Sequence, residues 1–341
     1  MTYRPMLKFC FMPRIFNTKM RLHRIHIYLT LLGLVSLGLQ AKCDTSIQDN
    51  SQKNHVGYKA ISRYEDEFIA VGTDGKIDRI SISGKVTKSE KFAGEKFNCI
   101  ISNDRMTLAA GDRGILLISS EKGIFRRIES NTKENINSLV LFRGNIVAVT
   151  DHGEIISGDG KSAFKRTRLP VKGNIVSVSA RESECFGVTD EGEIIHTTNG
   201  IKWEITDFNK AYAGYYKTSY FTKILVTENR IAIAGKHNDD SPVLLLSTQG
   251  NVWTERTLVY TDDQGYNNIL EDSPNDIIYN ESEDMFYLAC NRGRVFQLPS
   301  CNHCNKLAIV SEESLMGISS NENILMIVGE NFIIKSINLK W

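Results

Sequence analysis

The chain has 341 residues, with 41 Lys and Arg against 40 Asp and Glu, for a formal charge of +1. That length exceeds one ordinary compact core, so the chain reads as two domains, one large all-β unit or an array. The balanced charge excludes a global field that would draw the protein onto nucleic acid or an anionic membrane.

The N-terminus stands apart from the rest. Arg4, Lys8, Arg14, Lys19, Arg21 and Arg24 carry positive charge with no acid among them, and the uncharged run Ile27–Leu39 follows. A basic region, an apolar run short for a bilayer span and small Ala41 predict a secretory signal peptide over residues 1–41, cut after Ala41. Met20 opens a more ordinary leader, "MRLHRIHIYLTLLGL", and is the alternative start. The expectation is an extracytoplasmic protein, periplasmic or secreted, with no transmembrane span after cleavage. Cys43 stands where a lipidated cysteine would stand, but long, charged Lys42 before it argues against lipid attachment.

From residue 57 onward the chain repeats itself. "AVGTDGKI" begins at Ala70, "AAGDRGIL" at Ala109, "AVTDHGEI" at Ala148 and "GVTDEGEI" at Gly187; the theme returns at Ala232, Tyr287 and Met326. The matched positions Gly72, Gly111, Thr150, Thr189, Gly235, Cys290 and Gly329 step by 39, 39, 39, 46, 55 and 39. Each unit holds alternating apolar stretches, an apolar run and turns such as Thr73-Asp74-Gly75 and Asp151-His152-Gly153, where glycine supplies the positive φ of a hairpin. Four short strands in each of seven units predict an all-β, seven-bladed β-propeller of four-stranded antiparallel blades over 57–341. A β-solenoid would instead need shorter coils with single strands between turns. The seventh unit ends with the chain and lacks a fourth strand. Residues 42–56, overlapping "SIQDNSQKNHVGYKAIS" (46–62), are a candidate ring-closing strand, since an open ring exposes two edges.

The segments "TTNGIKW" (Thr197–Trp203) and "STQGNVW" (Ser247–Trp253) share the form Ser/Thr-x-polar-Gly-x-x-Trp. This resembles the Asp-box, or BNR repeat, of sialidase-like propellers and of photosystem assembly-factor propellers, with Asn199 and Gln249 in place of the usual Asp. The resemblance implies a structural hairpin in each blade. Thr197, Asn199, Ser247 and their neighbours would bond the turn backbone, Gly200 and Gly250 would take left-handed conformations, and Trp203 and Trp253 would pack between blades. "SSEKGIF" (Ser119–Phe125) and "SGDGKSAF" (Ser157–Phe164) are degenerate copies. An Asp-box is not a catalytic set, and the mature chain lacks the Arg-Ile-Pro-like segment that a sialidase of this family would carry.

Cys301 and Cys304 in "PSCNHCNK" fall on the equivalent late hairpin. A closed zinc site needs four ligands and thioredoxin-like chemistry needs a βαβ context, so the pair reads as a disulfide-stapled turn in an exported protein. Cys99, Cys185 and Cys290 lie inside apolar strand patterns and read as buried free thiols. His55, His152, His196, His237 and His303 show no metal spacing, and no metal or cofactor is expected.

The period breaks before the fifth unit, where "FNKAYAGYYKTSYFTK" crowds Phe208, Tyr212, Tyr215, Tyr216, Tyr220 and Phe221. Together with Asp239 and Asp240 these tyrosines are the candidate residues for a ligand or partner; the alternative is aromatic packing on an ordinary strand. Asp262-Asp263 in the next insertion fits no alternating calcium loop. These features point to an exported, non-enzymatic propeller that binds another protein, in the manner of an envelope or assembly factor. The alternative is a carbohydrate-binding or carbohydrate-active propeller that uses the aromatic insertion.

Overall fold

The computed structural model describes residues 56–120, 123–262, 264–299, 306–321 and 323–339. They form seven antiparallel sheets arranged as the blades of a propeller, plus one small hairpin. The strands nearest the axis are Tyr58–Tyr64, Phe97–Ser102, Ile136–Phe142, Ile175–Ala180, Ser219–Val226, Pro274–Asn280 and Leu315–Ser320. Each blade then runs outward in chain order. Six blades have four strands; the seventh has Leu315–Ser320, Ile324–Gly329 and Ile334–Asn338. The hairpin Val259–Thr261 with Asn267–Ile269 fills the longest irregular step, between blades five and six. Among the described residues no helix is long and apolar enough to cross a membrane.

Second strands such as Glu67–Gly72 and Ile324–Gly329 are buried almost end to end. Their apolar runs are uninterrupted because a blade is covered on both faces by its neighbours, so the side chains on both faces of the pleat need apolar company. The buried side chains accordingly divide into seven clusters, one at each seam between blades. The seam that closes the ring joins Tyr58, Ile61, Phe68, Ala70 and Ile80 of the first blade to Met326 and Val328 of the seventh.

Of residues 42–56, expected to supply a clasp, 42–55 lie outside the described residues. Tyr58–Tyr64 is the inner strand of blade one, paired with Glu67–Gly72, and is not a fourth strand of blade seven. The chain touches blade seven just before that strand, through a bridge between Gly57 and Glu330 and a hydrogen bond from Asn331 N to the Val56 carbonyl at 2.8 Å. Closure among the described residues is therefore by apolar packing and this short bridge.

Every inner strand carries a bulge at the same place. The register slips by one residue at Lys59, Asn98, Asn137, Val176, Thr222, Asn275 and Met316. A bulge leaves its extra residue unpaired and re-aims the side chain. Here the seven residues ring one end of the central channel.

Candidate functional site

Four of the seven bulge residues clasp the next blade. Asn98 Nδ2 donates to the Ile136 carbonyl at 3.2 Å, Asn137 Nδ2 to Ile175 at 3.1 Å, Thr222 Oγ1 to Pro274 at 2.9 Å and Asn275 Nδ2 to Leu315 at 2.8 Å. The three asparagines also donate within their own blade, to Asp112, Asp151 and Asn291, the first residues of the turns between second and third strands. The channel wall is thus bonded both to the following blade and to the turns on one face of the ring.

Those turns are short 3-10 segments, Asp112–Gly114, Asp151–Gly153 and Asn291–Gly293. Their central residues Arg113, His152 and Arg292 adopt φ of 55, 55 and 54°, a region that non-glycine residues rarely occupy. The glycine that follows is obligatory: a Cβ on Gly293 would lie 1.8 Å from the Ser311 carbonyl oxygen. Side chains at the three tips are 70, 66 and 59% exposed. Each meets an acid from the linker that enters its blade: Arg113 with Glu95 at 3.4 Å, His152 with Glu134 at 3.0 Å, and Arg292 with Asp272. Asp272 is buried and also accepts from Arg294.

The channel encloses about 380 Å³. Its charged lining is Lys59, Lys223 and Asp276. Lys223 Nζ lies 3.0 Å from Asp276, whose carboxylate also accepts from the backbone of Ile277 and of Ile318 in the next blade, each at 3.0 Å. Burial lowers the Lys59 ammonium below the usual lysine range, against the partial support of Glu330 and Asp112. On the face with the turns, the channel opens into a cavity of about 630 Å³ between blades five, six and seven.

A serine, a histidine and a glutamate come together in blade five, a constellation that spacing alone does not reveal. Ser219 Oγ lies 3.2 Å from His237 Nδ1, and His237 Nε2 lies 2.9 Å from Glu255 Oε1. The residue types match a hydrolytic relay, but Ser219 is fully buried and also donates to the Lys217 carbonyl at 3.1 Å. A nucleophile must reach substrate; this hydroxyl is sealed. The three residues tie the first, second and fourth strands of the blade together.

The aromatic insertion folds inward for the most part. Asp207 caps the short helix Phe208–Ala211, and Phe208 is buried with Tyr212 stacked on it at 4.7 Å and Tyr216 at 5.8 Å. Tyr216 donates to the Trp253 carbonyl at 3.2 Å and Tyr212 to that of Asn251 at 3.4 Å. Tyr220 is partly buried in the inner strand, opposite Lys236. Tyr215 alone of the four tyrosines stands out, 84% exposed. Asp239 is held by Lys217 at 2.6 Å and by Ser241 at 2.6 Å, and Asp240 by Lys236 at 2.6 Å; Asp240 lines the channel-mouth cavity.

At the late hairpins, Thr197 Oγ1 accepts from the Gly200 amide at 3.0 Å, and Asn199 Oδ1 accepts from those of Ile201 and Lys202, each at 2.9 Å. Ser247 Oγ accepts from the Gly250 amide at 2.8 Å. Gly200 and Gly250 take φ of 73 and 78°. Trp203 packs half-buried at the seam of blades three and four, and Trp253 is buried at that of four and five. Cys301 and Cys304 lie outside the described residues, while Cys99, Cys185 and Cys290 are buried free thiols. Among the described residues no group of His, Cys, Asp and Glu could hold a metal ion.

No family model matches the chain, and no curated protein matches it. Among solved structures it is similar to the crystal structure of the computationally designed Ika8 protein, crystal packing No. 1 in P63. The TM-score is 0.59 at 10% identity, over 84% of this chain and 97% of that one. Likeness at that identity is one of fold, and the fold it supports is the propeller.

Proposed function

We propose that the protein is an exported, non-enzymatic β-propeller that binds another protein, as an envelope or assembly factor, through the face that carries the turns between second and third strands. The observation that carries this reading is the set of exposed tips Arg113, His152 and Arg292, held in left-handed turns and steadied by linker acids. Tips fixed before binding lose little freedom on docking, so more of each contact appears as affinity. Arginine is also a frequent anchor at protein interfaces. Kinship with assembly-type propellers is supported by the Asp-box resemblance of Thr197–Trp203 and Ser247–Trp253, where Thr197, Asn199 and Ser247 accept from turn amides and Trp203 and Trp253 pack at blade seams. Export rests on the basic, then apolar leader, and the Cys301–Cys304 pair is read as a disulfide formed after export.

The test is to return the tagged full chain to its native envelope, cross-link, and identify what copurifies. A single stoichiometric protein, lost when Arg113→Glu and His152→Glu are combined, supports the reading. A partner that tolerates both changes places docking elsewhere, and empty cross-links sink it. Carbohydrate binding through the blade-five loop is the second reading, favoured by the exposure of Tyr215. It predicts glycan-array signal that Tyr215→Ala abolishes.

A further inference from the structure

The channel-mouth cavity lies where the repeat period is broken, between the two blades that flank the longest insertion and the last blade. Lys236 and Asp240 of blade five, Glu271 and Asp272 of the linker, Arg292 of blade six and Glu330 of blade seven line it. Its volume, about 630 Å³, falls among pockets that hold small organic ligands, roughly 300–1,000 Å³. Two of its lining residues, Asp240 and Arg292, are non-glycine residues at φ of 61 and 54°.

Of the six rim charges, two cations and four acids, Lys236 is paired with Asp240 and Arg292 with Asp272. Lys236 lies 2.6 Å from Asp240, with side chains 45 and 80% exposed. Arg292 is fixed by its Nε on buried Asp272, while its Nη2 stands 3.9 Å from Glu271, outside hydrogen-bonding distance. Exposed pairs contribute little stability. A ligand that carries both signs can therefore exchange its own charges for theirs at small loss, an acceptor for Arg292 and Lys236 and a donor for Glu271 and Asp240.

We propose that this cavity binds a short peptide with both termini free, its carboxylate on Arg292 and Lys236 and its ammonium on Glu271 and Asp240. This goes beyond protein docking on the turn tips and stands or falls without it. Calorimetric titration of the full chain with trialanine, N-acetyl-trialanine and trialanine amide tests it. Trialanine binds saturably, and blocking either terminus weakens binding on the order of tenfold, the scale of one lost charge-assisted hydrogen bond. Lys236→Gln and Glu271→Gln each produce a similar loss with an unchanged melting temperature, since neither side chain supports the core. Arg292 is left intact because it anchors Asp272. Equal binding of all three peptides, no saturable binding of trialanine by the folded chain, or indifference to both substitutions overturns the proposal.

Discussion

Asn275 Nδ2 donates to the Leu315 carbonyl at 2.8 Å, across the seam between the sixth and seventh blades. The same amide group donates to Asn291 Oδ1 at 2.8 Å, at the root of the turn that carries Arg292. One side chain on the channel wall therefore joins ring closure to the geometry of the exposed face. Asn98 and Asn137 repeat the arrangement at seams two–three and three–four.

Asn275→Ala leaves the Leu315 carbonyl and Asn291 without that donor. The expected loss is about 1–3 kcal/mol of stability, the usual range for a stranded buried polar group. Urea denaturation of the variant against the parent measures it; an unchanged midpoint would show that water replaces the amide.

Two glycines separate backbone strain from steric collision. Gly94, at φ of 78° with open space around it, should tolerate alanine for about 1 kcal/mol, the cost of an L-residue in the left-handed region. Gly293→Ala adds a Cβ 1.8 Å from the Ser311 carbonyl oxygen and must shift backbone. Its melting temperature should fall well below that of Gly94→Ala, and equal values for the two variants would refute the close approach.

Glu154 gives a pH dependence of known sign. Burial alone would raise its carboxyl, but hydrogen bonds from Arg166 and Thr132 and the charge of Arg166 outweigh burial and hold it below the ordinary glutamate range. A carboxyl depressed on folding contributes stability that is present above the unfolded value, near 4.3. That contribution is lost as pH falls toward the folded value. Glu154→Gln should be less stable than the parent at neutral pH, with the difference shrinking on acidification below about 4. A gap that stays constant with pH would count against the ionised pair.

Burial pushes the thiols of Cys99 and Cys185 up to about 12, and that of Cys290 higher still. Only the thiolate attacks alkylating reagents. Iodoacetamide at neutral pH should leave all three unmodified in the folded protein and label them once denaturant is added, as read by peptide mass spectrometry. Rapid labelling without denaturant would mean that the seams open.

The candidate site was only partly legible beforehand. Asn98 and Asn137 stand 39 residues apart, at the spacing of the repeat, but nothing in their neighbours marks a bulge that turns the amide toward the following blade. The tyrosines of the blade-five insertion drew attention by number. Three of the four are partly buried: a helix of four residues sets Phe208 into the seam and draws Tyr212 and Tyr216 after it, and Tyr220 lies in the inner strand. Ser219, His237 and Glu255 carry no local signature, since strand pairing across the blade is what assembles them.

Blade number, strand order within a blade and the hairpin glycines follow from repeat spacing and period-two patterning, because each depends on residues near one another in the chain. How the ring closes depends on contacts between distant segments: Tyr58, Ile61 and Phe68 meet Met326 and Val328 across the whole length of the propeller. The same holds at the channel mouth, where Asp240, Glu271, Arg292 and Glu330 converge from three blades and a linker. Local pattern specifies which face of a strand is apolar. Which charged side chains share a cavity is set by the curvature of the assembled ring, which no single repeat encodes.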